Sequence, residues 1–151
     1  MKRRLAISLI SVGLLIGALP ALAAASAPVE AIIDVHQDFT QPTGTFTAES
    51  ELLCESGTTS DLVRVTGNEV NLNFHVLKTF TCADGSGTFT LRLQAHVMPC
   101  AANDWGSWSV AGGTGDYENL RGAGTVIGTY SPTNACDAEA IDDHFEGRLV
   151  G

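Results

Sequence analysis

The sequence predicts an all-β protein, an eight-stranded antiparallel up-and-down barrel, from three observations. No segment beyond residue 30 has a convincing helical period. Short runs rich in Val, Phe, Thr and Leu recur there, separated by Gly, Asn, Asp or Pro. The stretch 105–130 holds seven of the 16 glycines, and glycine is favoured where a closed sheet bends strongly.

Residues 1–25 have the pattern of a secretory signal peptide. Lys2, Arg3 and Arg4 precede an apolar run at 5–19, and small residues follow at 21–25. The apolar run is short for a transmembrane helix, and no second one follows, so we expect no membrane insertion once this leader is removed. Residues 26–151 then form a single β-barrel domain of a secreted or periplasmic protein.

The chain is strongly acidic, with 17 Asp and Glu residues against eight Lys and Arg residues and a net charge of −9. Three of the basic residues belong to the predicted leader, so the mature domain is more acidic than the full chain. Nucleic acid and anionic membrane surfaces are therefore not expected as partners.

The predicted strands are each bounded by turn-forming residues. They are Ala31–Phe39, Thr43–Leu53, Asp61–Thr66, Glu69–Thr81, Gly87–Met98, Trp105–Val110, Ala123–Tyr130 and Ala138–Val150. The fifth is the clearest, because apolar residues occupy every second position from 89 to 97.

Two turns predict how the central strands pair. A hairpin turn at Asp84-Gly85 places Phe80 opposite Phe89 and continues the pairing up both strands. A turn at Gly67-Asn68 places Val65 opposite Val70 and Val63 opposite Leu72. Both registers bury one apolar face, and they predict that His36, His75, His96 and His144 lie on the opposite, outer face.

Four cysteines in an exported chain predict two disulfides, with three arrangements to choose from. Successive connections of an up-and-down sheet alternate between its two ends. Cys54 and Cys82 follow the second and fourth strands and share one end, whereas Cys100 and Cys136 share the other. The predicted pairs are therefore Cys54 with Cys82 and Cys100 with Cys136, since other pairings would span the barrel.

The candidate site is an apolar pocket inside the barrel with two charged groups. Lys78 and Asp143 interrupt the inward-facing apolar positions, and a charge there is costly unless it is paired or hydrated. The alternative is that Lys78 reaches out to solvent near its strand end and that Asp143 marks a bulge. The predicted pocket is lined by Phe74, Phe89, Leu91, Leu93, Trp108 and Phe145, with Lys78 and Asp143 as polar groups.

The remaining motifs predict no phosphate-binding site, zinc site or nucleophilic serine. The glycine-rich loop has neither of the phosphate-binding glycine patterns, and the histidine spacing matches no zinc motif. The chain also lacks the G-x-S-x-G pattern of a nucleophilic serine. We therefore predict no catalytic residue, no metal and no cofactor.

The run from Gly112 to Gly124, GGTGDYENLRGAG, preceded by Trp108-Ser109-Val110, resembles the glycine-rich stretch of dirigent proteins and allene oxide cyclase-like barrels. The chain looks most like the small exported bacterial members of that group. The resemblance implies an eight-stranded barrel, often trimeric in plants, with an apolar cavity open at one end. In the enzymes of the family, that cavity guides cyclisation or coupling of hydrophobic intermediates.

The expected function is non-catalytic binding of a small hydrophobic molecule, or a structural or interaction role. One alternative is a cyclase-like or dirigent-like enzyme acting on a hydrophobic intermediate within the barrel. Another is an assembly module whose outer strand face packs in a homotrimer. No catalytic residue of the plant enzymes is matched to a position in this chain.

Overall fold

A computed structural model describes residues 27–68 and 70–151, so the predicted leader lies outside the described residues. Eight strands close into one barrel in chain order, each antiparallel to its neighbours, which confirms the predicted fold class. The strands are β1 (Val29–Asp38), β2 (Gly44–Glu49), β3 (Ser56–Asn68), β4 (Asn71–Cys82), β5 (Gly87–Val97), β6 (Asn103–Gly115), β7 (Arg121–Ser131) and β8 (Ala140–Val150). Within the described ranges, no helix is long and apolar enough to cross a membrane.

The register between β4 and β5 is the one that the sequence predicted. Phe80 pairs with Phe89, Val76 with Leu93, and Phe74 with Ala95. Asp84 stabilises the turn, because its Oδ1 accepts hydrogen bonds from the backbone N and the Oγ of Ser86. The hairpin therefore presents one continuous apolar face to the barrel interior.

The predicted register between β3 and β4 is wrong. Val65 pairs with Phe74 and Val63 with Val76, because β3 continues to Asn68, which pairs with Asn71. Asn68 makes the turn, since its Oδ1 accepts hydrogen bonds of 3.0 Å from the backbone N atoms of Val70 and Asn71. The shift is even, so the side chains keep their predicted faces.

Three strand limits differ from the prediction by four or more residues. β2 ends at Glu49 because Ser50 begins a turn, in which its Oγ accepts a hydrogen bond from the backbone N of Leu52. β3 begins at Ser56, five residues earlier than predicted. β6 extends to Gly115, with a bulge where its pairing to β5 shifts between Thr90 and Leu91.

The packing around Trp108 explains why positions 124 and 147 are glycines. The indole of Trp108 points into the barrel, and its Nε1 donates hydrogen bonds to the carbonyl oxygens of Thr125 and Glu146 at 3.0 and 3.2 Å. A Cβ at Gly147 would collide with this indole, and a Cβ at Gly124 would collide with the backbone of Glu146. The two glycines let β7 and β8 pass close beneath the tryptophan.

Both disulfides have the predicted pairing. Cys54 and Cys82 have Cα atoms 5.9 Å apart, and the Cα atoms of Cys100 and Cys136 are 4.7 Å apart. Among the described residues no cysteine is free. Two disulfides in one small domain are typical of an oxidising compartment.

Candidate functional site

The barrel interior is packed at one end and hollow at the other. We call the end that holds Cys54–Cys82 the closed end and the end that holds Cys100–Cys136 the open end. Near the closed end the rings of Phe80 and Phe89 stack with centroids 4.5 Å apart, and the ring of Phe46 meets both edge-on. Such packing excludes a ligand from this half.

A cavity of about 370 Å³ occupies the open half of the barrel. Phe39, Val63 and Met98 surround its mouth, where each side chain is about half exposed. Apolar residues from five strands form most of the wall: Val63, Leu72, Phe74, Val76, Leu93, Ala95, Val97, Val126 and Ile141. The size is within the range of small-molecule sites, which is roughly 300 to 1,000 Å³.

Five polar side chains form one contiguous group on the cavity lining, and we call them the polar floor: Asp61, Lys78, Asp104, Tyr130 and Asp143. They come from β3, β4, β6, β7 and β8. Beneath them lies the aromatic packing, with Phe80 and Phe145 in edge-on contact at 6.2 Å between centroids. A bound molecule would therefore meet one group of polar side chains in an otherwise largely apolar cavity.

Lys78 is the cation of the polar floor and is only 2% exposed. Its Nζ donates a hydrogen bond of 2.7 Å to Oδ2 of Asp61, which is directly opposite on β3. The same Nζ lies 3.4 Å from Oδ2 of Asp143 on β8. Because β4 and β8 are on opposite sides of an eight-stranded barrel, the lysine side chain bridges the interior.

Asp143 is buried, and its carboxyl group is hard to ionise. Burial raises the pKa of Asp143 to about 6, opposed by the Lys78 ammonium and reinforced by the negative charges of Asp104 and Asp61. The group therefore changes its charge close to neutral pH, in contact with the cavity.

Asp104 is the second buried carboxyl group of the polar floor. Its Oδ1 accepts a hydrogen bond from the backbone N of Gly128 at 3.1 Å, and its Oδ2 accepts one from the Tyr130 hydroxyl at 2.9 Å. Burial raises the pKa of Asp104, although these two donors oppose the shift. Burial and the neighbouring Asp104 charge also raise the pKa of Tyr130, so its hydroxyl remains a donor.

Gly128 allows the two buried carboxyl groups to converge. It pairs with Asp104 on one side and with Asp143 on the other. The position that a Cβ would occupy at Gly128 lies 2.5 Å from Oδ1 of Asp104 and 2.9 Å from Oδ1 of Asp143. Any side chain at this position would displace one of the carboxylates.

The structure brings together half of the predicted pocket residues. Lys78, Asp143, Phe74 and Leu93 line the cavity, with the two charged residues buried and paired. Phe89, Leu91, Trp108 and Phe145 do not line it and belong instead to the packed core. An eight-stranded barrel is narrow, and these large side chains fill its interior towards the closed end.

Sequence reasoning missed Asp61, Asp104 and Tyr130. The signal was present in the alternation, since Asp61 shares the parity of Val63, and Asp104 shares that of Trp108. The predicted sixth strand began at Trp105, one residue too late to include Asp104.

The histidines lie on the outer face, as the alternation predicted. His36 contacts Asp142 at 2.7 Å, and His144 contacts Asp34 at 2.6 Å, in both cases through Nδ1. Hydrogen bonds with Asp34 and Glu146 raise the pKa of His144. No group of His, Cys, Asp and Glu side chains suited to a metal ion occurs within residues 27–68 and 70–151.

Comparisons with known proteins add no identification: no family model, no curated protein and no solved structure matches this chain.

Proposed function

We propose that this chain is an exported barrel protein that binds a small hydrophobic molecule in the cavity at the open end, without catalysis. The observation that carries the proposal is the cavity of about 370 Å³, whose wall is mostly apolar and carries one contiguous group of polar side chains. This combination is typical of a site for a small ligand with one polar end. The two disulfides and the predicted leader support a secreted or periplasmic location.

The glycine-rich motif and the barrel topology together support a place among the allene oxide cyclase-like and dirigent-like barrels, as one of the small exported members. Fold similarity alone does not define an activity. We therefore base the proposed function on the cavity and not on the resemblance.

Catalysis in the cavity is the second candidate, and the ionisation of Asp143 favours it. A carboxyl group with a pKa of about 6 beside an apolar cavity is suited to proton transfer near neutral pH. A cyclase-like or dirigent-like reaction on a hydrophobic intermediate would use such a group.

A role in assembly is the third candidate, supported by apolar pairs on the outer face. Leu62 pairs with Leu77, and Trp105 pairs with Ile127, and all four side chains are exposed. Such patches are common where subunits meet, including in a homotrimer.

Native mass spectrometry of the protein purified without denaturant tests the proposal. We expect a co-purifying mass of a small apolar molecule, lost from the variant Ala95→Trp, because Ala95 lines the cavity and an indole there would fill it. His96→Trp is the matched control, since the neighbouring His96 is exposed on the outer face.

A protein that carries no such mass, and that binds no apolar probe after delipidation, would contradict the binding proposal. A clean trimer without bound mass would favour the assembly role. Turnover of an added substrate would favour the enzyme.

A further inference from the structure

The polar floor is unbalanced in charge. Three carboxyl groups, those of Asp61, Asp104 and Asp143, face a single ammonium group. Among the described residues that line the cavity, Lys78 is the only Lys, Arg or His. Two of the three, Asp104 and Asp143, are buried. Buried carboxylates without enough positive charge are unstable as anions, so they take up protons or attract a cation.

The imbalance is greatest on one side of the cavity. The Lys78 ammonium is closest to Asp61, at 2.7 Å, and is farther from Asp143, at 3.4 Å. Asp104 is held only by neutral donors, the Tyr130 hydroxyl and the backbone N of Gly128. Two carboxyl groups therefore converge around Gly128, and among the described residues that line the cavity Lys78 is the one cation near them.

The rest of the cavity lining limits which positively charged molecules would fit. Apart from the polar floor the lining is mostly apolar, and Phe39, Val63 and Met98 surround the mouth. A molecule that fits must have an apolar body against this lining and its positive charge beside Asp104 and Asp143. A carboxylate or phosphate head would face three carboxyl groups and be repelled.

We propose that the cavity selects apolar amines, with the protonated amino group bound between Asp104 and Asp143 and the hydrocarbon body against the apolar wall. This inference rests on the proposed function, because it names the ligand class of the same cavity. Lys78 does not prevent such binding, since its charge is offset by the close pair with Asp61.

The preference should depend on pH through the groups that face Asp143 from the surrounding strands. These are Asp61, Lys78, Asp104 and Tyr130, whereas β1 and β5 place no charged side chain on the cavity wall. An alkylammonium keeps its proton throughout the acidic and neutral range, as a lysine does. Protonation of Asp143, whose pKa is about 6, would remove the preference in acid.

Three probes with the same decyl chain test the inference by isothermal titration calorimetry: decylamine, decanol and decanoate. At pH 7.5 we expect decylamine to bind at least about tenfold more tightly than decanol, the ratio given by one charge-assisted hydrogen bond. Decanoate should bind most weakly. At pH 5 the ratio of decylamine to decanol should fall to about threefold or less.

Two variants test whether Asp143 is responsible for the preference for decylamine over decanol. Asp143→Asn should reduce the ratio of decylamine to decanol at pH 7.5, and Asp142→Asn should not, because Asp142 lies next to it on the outer face. The comparison of the three probes on the unmodified protein does not depend on whether either variant folds.

Each outcome has one meaning. Decanol binding without preference for decylamine, or a preference for decanoate, overturns this inference and leaves the proposed function standing. Failure of all three probes to bind overturns the proposed function and this inference with it.

Discussion

Lys78 is held inside the barrel by one carboxylate from the neighbouring strand β3 and one from β8 across the barrel, and this arrangement decides how each residue responds to substitution. Were Asp143 its only partner, loss of Asp143 would leave a buried ammonium unpaired. Asp61 lies nearer to Nζ, at 2.7 Å against 3.4 Å, so the ammonium keeps a partner when Asp143 is removed. Removal of Lys78 instead leaves three carboxyl groups without a cation.

The variant Lys78→Met should therefore lose about 3 to 5 kcal/mol of the free energy of unfolding at pH 8, the usual cost of breaking a buried ion pair from one side. The loss should be smaller at pH 5, where Asp143 is largely protonated. Urea denaturation at both pH values measures it, with Arg92→Met on the outer face as the control. Equal losses for the two variants would contradict the role of Lys78 as the counter-charge.

The stability of Asp143→Asn relative to the parent should rise with pH, whereas that of Lys78→Met should fall. The sign follows from proton linkage. The native state binds the proton of Asp143 more tightly than the unfolded chain does, with a pKa raised from 3.8 to about 6. This contribution to stability is therefore present in acid and is lost as the pH rises through about 6. Between pH 4 and pH 7.5 the parent should lose on the order of 2 to 3 kcal/mol through this group, and Asp143→Asn should not.

The measurement is the difference in unfolding free energy between variant and parent across this pH range, by urea denaturation. The exposed variant Asp116→Asn provides the control and should stay within about 0.5 kcal/mol of the parent. A difference between Asp143→Asn and parent that does not change with pH would show that Asp143 ionises normally.

At the scale of the elements, β6, β7 and β8 are brought together by glycines, but the glycines are not equivalent. Gly124 pairs with Trp108 on β6 and with Gly147 on β8, and a Cβ on it would collide with the backbone of β8. Gly112, on β6 next to the bulge, has open space where its Cβ would lie. The glycine-rich stretch thus mixes positions that sterics require with one that sterics do not.

Gly124→Ala should destabilise the barrel by about 2 to 3 kcal/mol, because the strands would have to separate to admit the methyl group. Gly112→Ala should stay within about 0.5 kcal/mol of the parent, and it is a matched control from the same stretch. Thermal denaturation followed by circular dichroism compares the two variants. Similar melting temperatures for both would contradict the close packing of β7 against β8.

At the scale of the whole molecule, the two disulfides brace opposite ends of the barrel and differ in surroundings. Cys54 and Cys82 are buried at the closed end, where the Tyr117 hydroxyl lies 3.3 Å from Sγ of Cys82. Cys100 and Cys136 line the cavity at the open end and join the connections that follow β5 and β7. Only the second bridge therefore contacts the proposed ligand site.

Removal of either bridge should lower the melting temperature by roughly 10 °C, since each closes a long loop and contributes about 3 to 4 kcal/mol. The variant Cys100→Ala/Cys136→Ala should also weaken binding of an apolar probe, whereas Cys54→Ala/Cys82→Ala should lose stability alone. Calorimetric melting and decanol titration of both variants below their melting temperatures separate the two effects. Equal loss of decanol affinity in both variants would count against a cavity at the open end.

The sequence alone determined the features that depend on local alternation. The period of two placed Lys78 and Asp143 on the inner face, and the parity of the connections determined both disulfide pairs. The Asp84-Gly85 turn likewise determined the register of β4 with β5. The inner-face positions and the register follow from residues that are neighbours along the chain or across one turn, whereas the disulfide pairs follow from the number of strands between the cysteines.

Only the tertiary structure decided which half of the barrel is hollow and which carboxylates meet Lys78. The contact of Lys78 with Asp143 crosses the barrel from β4 to β8, and the convergence of Asp104 with Asp143 depends on β7 between them. These distances depend on how eight strands close and on how far large side chains fill the interior. No pattern within a single strand contains that information, because closure is a property of all eight strands at once.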